Sequence, residues 1–197
     1  MQSRTISFVF VKYFVFSRKT QRLYNFQSNY KYFSIPKVIE YTRVISKGRP
    51  QEVYNRIFVA EYDGVRAGLC SIAYHGDTEK FPERSSDLVP DFDCCDMCGL
   101  FCLDFATTEN VPVGHCYIEC ICVDDKFRGK GIGKVLLNVV ETDAKHHNCR
   151  TMYLWVVSSN RAKNLYSRQG YVVTENTTCC LRCILGVKKA YRMDKPV

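Results

Sequence analysis

A chain of 197 residues with 46% apolar composition is long enough to enclose a hydrophobic core. The longest early apolar stretch, Ile6 to Phe16, is broken by Ser7 and Lys12. It falls short of the roughly 20 residues that span a bilayer, so no membrane segment is expected. The net charge of +8 is gathered at one end, with seven Lys or Arg and no acid in residues 1–39, and this argues against a nucleic-acid-binding face on the folded domain.

Residues 1–39 read either as a basic first strand and helix or as a mitochondrial leader, which is Arg- and Ser-containing and poor in acids. The aromatics Phe8, Phe10, Tyr13, Phe14 and Phe16 suit a strand. No small-residue cleavage site follows the apolar run, so the expected compartment is the cytoplasm, with the mitochondrion as the alternative. Pro36 near a first turn predicts a helix over 37–46, and residues 40–197 are expected to form one domain. The run from Ile57 to Tyr62, the pair Asp63-Gly64 and the run from Val65 to Tyr74 predict a hairpin. Residues 77–97 carry seven acids against Lys80 and Arg84, a solvated acidic loop or a rim that attracts cations. Further strands are expected at 99–105 and 116–123.

The twelve cysteines come without a secretion signal, so free thiols are expected. Cys95 and Cys98, and Cys180 and Cys183, have metal-ligand spacing. They would hold a structural zinc only if two distant loops met in space, and no metal is assigned. Cys116, Cys120 and Cys122 fall on one face of a strand by period two and read as small core residues.

After the strand ending at Val123 comes Arg128-Gly129-Lys130-Gly131-Ile132-Gly133-Lys134, which opens a helix with apolar residues at Val135, Leu136, Leu137, Val139, Val140 and Ala144. A glycine-rich turn entering a helix suits a phosphate, because the backbone can approach closely and the first-turn amides point outward. Three residues between Gly129 and Gly133, with Val135 after Lys134, do not fit a nucleoside triphosphate loop. The dinucleotide pattern fails for want of a glycine at 134.

A strand from Met152 to Val157 is followed by Asn160-Arg161-Ala162-Lys163-Asn164-Leu165-Tyr166-Ser167-Arg168-Gln169-Gly170-Tyr171. Here Asn160 suits a helix start, Ala162, Leu165 and Tyr166 share a face, and Gly170 suits a left-handed stop. Strands near 171–174 and 188–193 complete the chain.

The two segments, Arg128-x-x-Gly131-x-Gly133 and Asn160-x-Ala162-x-x-Leu165-Tyr166-x-x-x-Gly170-Tyr171, resemble in order and closely in spacing the signatures of the GNAT superfamily of N-acetyltransferases. The resemblance covers roughly residues 50 to 197. It implies an α/β fold with a mixed, mostly antiparallel sheet of about six to seven strands, flanked by helices and with splayed central strands. It also implies acetyl-CoA as cosubstrate and a small-molecule or peptide amine as acceptor, attacked directly in a ternary complex. The alternative is a catalytically silent acyl-CoA-binding module. By resemblance, the pantetheine arm would pair with backbone at Ile121, Cys122 and Val123. The pyrophosphate would lie on Arg128, Gly129, Lys130, Gly131, Ile132, Gly133 and Lys134. Asn160 would contact pantetheine, and Tyr166 would protonate the departing thiolate.

One further residue stands out from the pattern itself. Glu119 is a lone carboxylate on an otherwise apolar strand, which is costly unless it is paired or placed at a cleft. Period-two alternation predicts that it shares a face with Tyr117, Ile121 and Val123. It is expected as a general base, as a partner of a basic residue or as a substrate contact, with Tyr117 as the fallback base.

Overall fold

Asp63 and Gly64 both adopt positive φ, 51° and 74°. This is the type I′ geometry whose twist matches paired strands, and it turns Ile57–Tyr62 (β2) back on Val65–Tyr74 (β3) as an antiparallel hairpin. The structure is a computed structural model, described for residues 6–10, 55–77, 109–177 and 189–197. Ile6–Phe10 (β1) pairs antiparallel with β2. The helix expected at 37–46, the strand at 99–105, the acidic loop beyond Asp77 and both paired-cysteine motifs lie outside the described residues.

His115–Val123 (β4) runs antiparallel to β3, and Thr151–Val157 (β5) runs parallel to β4. Val172–Thr177 (β6) and Ala190–Pro196 (β7) form a closing antiparallel pair, with β7 inserted beside β5. Among the described residues these strands make one seven-stranded sheet, ordered β1-β2-β3-β4-β5-β7-β6, with one parallel junction. That is the mixed, mostly antiparallel sheet expected.

The Ile132–His146 helix (α1) buries Ile132, Leu136, Leu137, Val140 and Ala144 against the sheet, the stripe that its three- and four-residue spacing predicts. It ends in a Schellman stop. Asn148 takes φ 55°, and the Cys149 N–H reaches back to the Ala144 carbonyl at 3.0 Å. The core beneath it includes Cys70, Ile72, Cys116, Ile118, Met152, Leu154 and Met193. The Lys163–Arg168 helix (α2) stops the same way, with Gly170 at φ 89° and the Tyr171 N–H donating to the Tyr166 carbonyl at 3.1 Å. Among the described residues, no helix is long and apolar enough to cross a membrane.

Candidate functional site

β4 and β5 pair at His115 with Thr151, Cys116 with Met152 and Tyr117 with Tyr153, and no further. From there β4 stays with β3 and β5 stays with β7 to their ends, so the two central strands diverge into a wedge. The chain leaving the wide end of β4 is tied down by the Asp124 N–H donating to the Ala67 carbonyl at 2.8 Å. It passes through a short 3-10 turn, Asp125–Phe127, and enters the glycine loop.

Gly129 and Gly131 take φ of 78° and 80°, conformations that L side chains rarely adopt. Gly131 is the N-cap of α1 and supplies no side-chain cap, and the first helical bond is from the Val135 N–H to the Gly131 carbonyl at 3.1 Å. Among the described residues, the amides from Gly129 to Lys134 make no backbone hydrogen bond, so this cradle of N–H groups stands at the positive end of α1. Arg128 is ion-paired with Asp125 on the surface. Lys130 lies over the rings of Tyr62 and Phe127, 4.4 and 5.1 Å from their centroids, and Lys134 is exposed.

The glycine loop, β4 and α2 meet at Gly133. A Cβ there would stand 3.0 Å from Leu165 Cδ2 and 3.8 Å from Val123 Cγ2. This close approach sets the start of α1 against both β4 and α2. Tyr166, next to Leu165, is 5% exposed, with its ring edge-on to Tyr171 at 6.1 Å. Asn160 differs from its expected role as helix cap. α2 begins only at Lys163, and the Asn160 Oδ1 instead accepts from the Ala162 N–H at 2.9 Å, fixing the turn that precedes the helix.

The alternation predicted for β4 also needs correction. Ser71 pairs with Cys120 and Ile72 with Ile118, so Glu119 is an extra residue, a bulge that reverses the faces beyond it. Cys116 and Ile118 therefore share the α1-side core with Ile121 and Val123, while Tyr117 packs in a separate cluster on the opposite side with Ala73, Val111 and Tyr153. Glu119 goes with that opposite side, where its Oε2 accepts from Ser71 Oγ at 2.9 Å. It thus lies off the face of Ile121 and Val123, and Cys116 lies off the face of Cys120. Cys122 pairs with Leu69 rather than with a core residue.

Burial, then the charges of Glu109, Glu119 and Cys120, push the Tyr117 phenol well above its ordinary value. It stays protonated and is a poor base. Burial likewise lifts the Cys116 thiol to about 12, so that sulfur is inert packing. Among the described residues, no cluster of three metal-ligating side chains forms.

Several participants escaped the sequence reading. Ser71 carries no motif, and Glu109, which accepts from the Trp155 Nε1–H at 3.1 Å, is 46 residues away from it in the chain. Gly68 could have been noticed as a glycine inside a strand pattern. Its α-carbon faces the Cys122 carbonyl so closely that a Cβ would sit 2.8 Å from the oxygen.

The acetyltransferase (GNAT) family profile matches residues 20–171. No curated protein matches the chain in sequence. Among solved structures, the ribosomal-protein-S18-alanine N-acetyltransferase of Escherichia coli aligns at 14% identity and TM-score 0.52, over 98% of this chain and 94% of its own. Ard1 of Thermoplasma volcanium aligns at 15% identity and TM-score 0.53, over 100% and 99%. A Bacillus anthracis acetyltransferase solved with acetyl coenzyme A aligns at 18% identity and TM-score 0.49, over 72% of this chain and 61% of its own length. The likeness of fold rests on the first two.

Proposed function

The chain belongs to the acetyltransferase (GNAT) family, whose cosubstrate is acetyl-CoA, and on that premise we propose that it acetylates a primary amine by direct attack in a ternary complex. The observation that carries this reading is the wedge between β4 and β5, with the amide cradle of residues 129–134 at its wide end. Those amides would hold the diphosphate, with Arg128 released from Asp125 to add charge, and backbone at Ile121, Cys122 and Val123 would line the pantetheine arm. Asn160, already fixing the turn before α2, would stand beside that arm.

The acceptor must lose a proton before it attacks. For a lysine-like amine this costs about 4.6 kcal/mol at pH 7, against about 1 kcal/mol for a peptide amino terminus. Glu119 takes that proton, directly or through water. The amine nitrogen then bonds to the thioester carbonyl carbon, the C–S bond breaks as the Tyr166 hydroxyl gives its proton to the departing sulfur, and the second proton lost by the nitrogen passes to solvent, which restores the phenol. Tyr117, held protonated by burial and neighbouring carboxylates, is the weaker candidate for base.

The test pairs acetyl-CoA calorimetry with thiol release across a panel of amines and peptides, for wild type and Glu119→Gln. Cofactor binding with amine-dependent thiol release in wild type, and a kcat at least tenfold lower in the variant, is expected. Binding without release on any amine would favour a silent acyl-CoA-binding module.

A further inference from the structure

Two cations stand on the β5 side of the wedge, and the proposed chemistry uses neither. The ammonium of Lys163, on α2, lies 4.9 Å from the centroid of the Tyr191 ring, and that of Lys189 lies 5.2 Å from the same centroid. No more than about 10 Å therefore separates the two charges, roughly one Debye length at physiological salt, so each feels the other. An aromatic face attracts a cation without cancelling its charge. All three residues are half-buried, and among the described residues neither lysine has a carboxylate partner. Beyond Asp143 the sequence holds two acids, Glu175 and Asp194, and Arg192 pairs with both, at 3.2 and 2.9 Å. Two like charges gathered on one ring, with no acid of the chain paired to either, have the electrostatics of an anion site.

Their place in the fold is an independent observation. Lys189 lies where β5 ends, because the Ser158 N–H donates to its carbonyl at 2.9 Å, one step past the pairing of Val157 with Ala190. That is the wide end of the wedge. Lys163 is two residues before Leu165, the side chain that meets the glycine loop at Gly133. Tyr191, opposite Val156, packs against the same core as Ile132 and Leu136, so the ring is on the α1 side of the sheet. The amide cradle and the lysine pair thus flank one opening from its two sides.

We propose that Lys163 and Lys189, gathered on Tyr191, form a second anion site that takes a phosphate monoester, the ribose 3′-phosphate of acetyl-CoA. Apart from its diphosphate this is the one anionic group that the cosubstrate carries, and its charge near −2 at neutral pH matches two ammonium groups. The inference rests on the acetyl-CoA reading and adds to it a means of telling the cosubstrate from acyl thioesters that lack this phosphate.

Calorimetry on the full chain compares acetyl-CoA with acetyl-dephospho-CoA, which lacks only the 3′-phosphate. Wild type is expected to bind acetyl-CoA about tenfold more tightly, with the ratio shrinking as salt is raised. Lys163→Met and Lys189→Met keep an unbranched apolar stem on the Tyr191 ring and remove the charge. Each should lower the ratio to about threefold, and the double variant should bring it to about one, with both ligands still bound. Equal binding of the two ligands by wild type overturns the inference and leaves acetyl transfer standing. So does a ratio that survives in the double variant, including one in which both ligands are weakened alike. Failure of wild type to bind either ligand overturns both.

Discussion

Ser71 Oγ donates a 2.9 Å hydrogen bond to Glu119 Oε2 across the point where β4 bulges away from β3. Ser71 is itself 6% exposed and, among the described residues, the one buried residue classed as polar or charged, so its hydroxyl has a defined task in holding the carboxylate. A hydrogen bond to the charged form favours that form. Ser71→Ala should therefore move the acidic limb of the kcat/KM profile to higher pH and lower kcat by about threefold at pH 7. Acetyl-CoA affinity, measured by calorimetry, should stay put. A profile that superimposes on wild type would leave Ser71 a packing residue only.

Tyr166 sits on a six-residue helix whose exit is locked by Gly170 and whose face is pinned to α1 through Leu165 and Gly133. Such a short helix gains little from its own hydrogen bonds, so these contacts place the phenol. Tyr166→Phe keeps the ring and its edge-on contact with Tyr171 while deleting the hydroxyl proposed as proton donor. The expected result is a kcat lower by about tenfold or more with the acetyl-CoA dissociation constant nearly unchanged. An unchanged kcat would remove Tyr166 from the chemistry.

What could be read from the sequence was whatever a few neighbouring residues determine together. Asp63-Gly64 specifies its own turn, Gly129 and Gly131 their own left-handed steps, and the apolar spacing from Ile132 to Ala144 its own buried stripe. The bulge at Glu119 depends on how β4 registers against β3, some 48 residues earlier, and no periodicity within β4 announces it. The same holds for the Glu109–Trp155 bond and for the approach of Gly68 to Cys122. The glycine turns and the buried stripe of α1 were thus legible in the sequence, whereas the side of the sheet to which Glu119 belongs was not.

Gly68 and Gly133 should respond differently to alanine. At Gly68 the new methyl would lie 2.8 Å from the Cys122 carbonyl oxygen and 3.3 Å from both Ile132 and Leu136. Backbone on one side and core on the other leave no room to relax, and overpacking of this kind costs about 1–3 kcal/mol. At Gly133 the nearest atom is the end of the Leu165 side chain at 3.0 Å, which can rotate, and alanine recovers about 1 kcal/mol of helix propensity. Urea midpoints should therefore fall for Gly68→Ala and barely move for Gly133→Ala. The Gly133 change should instead raise the KM for acetyl-CoA, because the rotated Leu165 side chain no longer sets the amide cradle against α2 in the same way. Equal stability losses in the two variants would contradict this account.

Glu141 ties α1 to the last strand. Its two oxygens meet the ammonium groups of Lys195 at 2.5 Å and Lys145 at 3.1 Å. Burial alone would raise this carboxyl, but hydrogen bonds from Lys195 and Lys145 and their charges outweigh it and hold the group below the ordinary value of 4.5. A carboxylate whose folded pKa is depressed stabilises the fold fully above its unfolded value. That contribution disappears as pH falls through the folded value, when the proton displaces the lysines. Lys195 is largely shielded and Lys145 is more than half exposed, so the Lys195 bond should carry most of the effect. Glu141→Gln should cost about 1 kcal/mol at pH 7 and flatten the loss of stability on acidification below about pH 4.5, as read from urea midpoints between pH 7 and 3. Wild-type and variant curves running parallel through the acid range would mean that the bridge adds nothing to the fold.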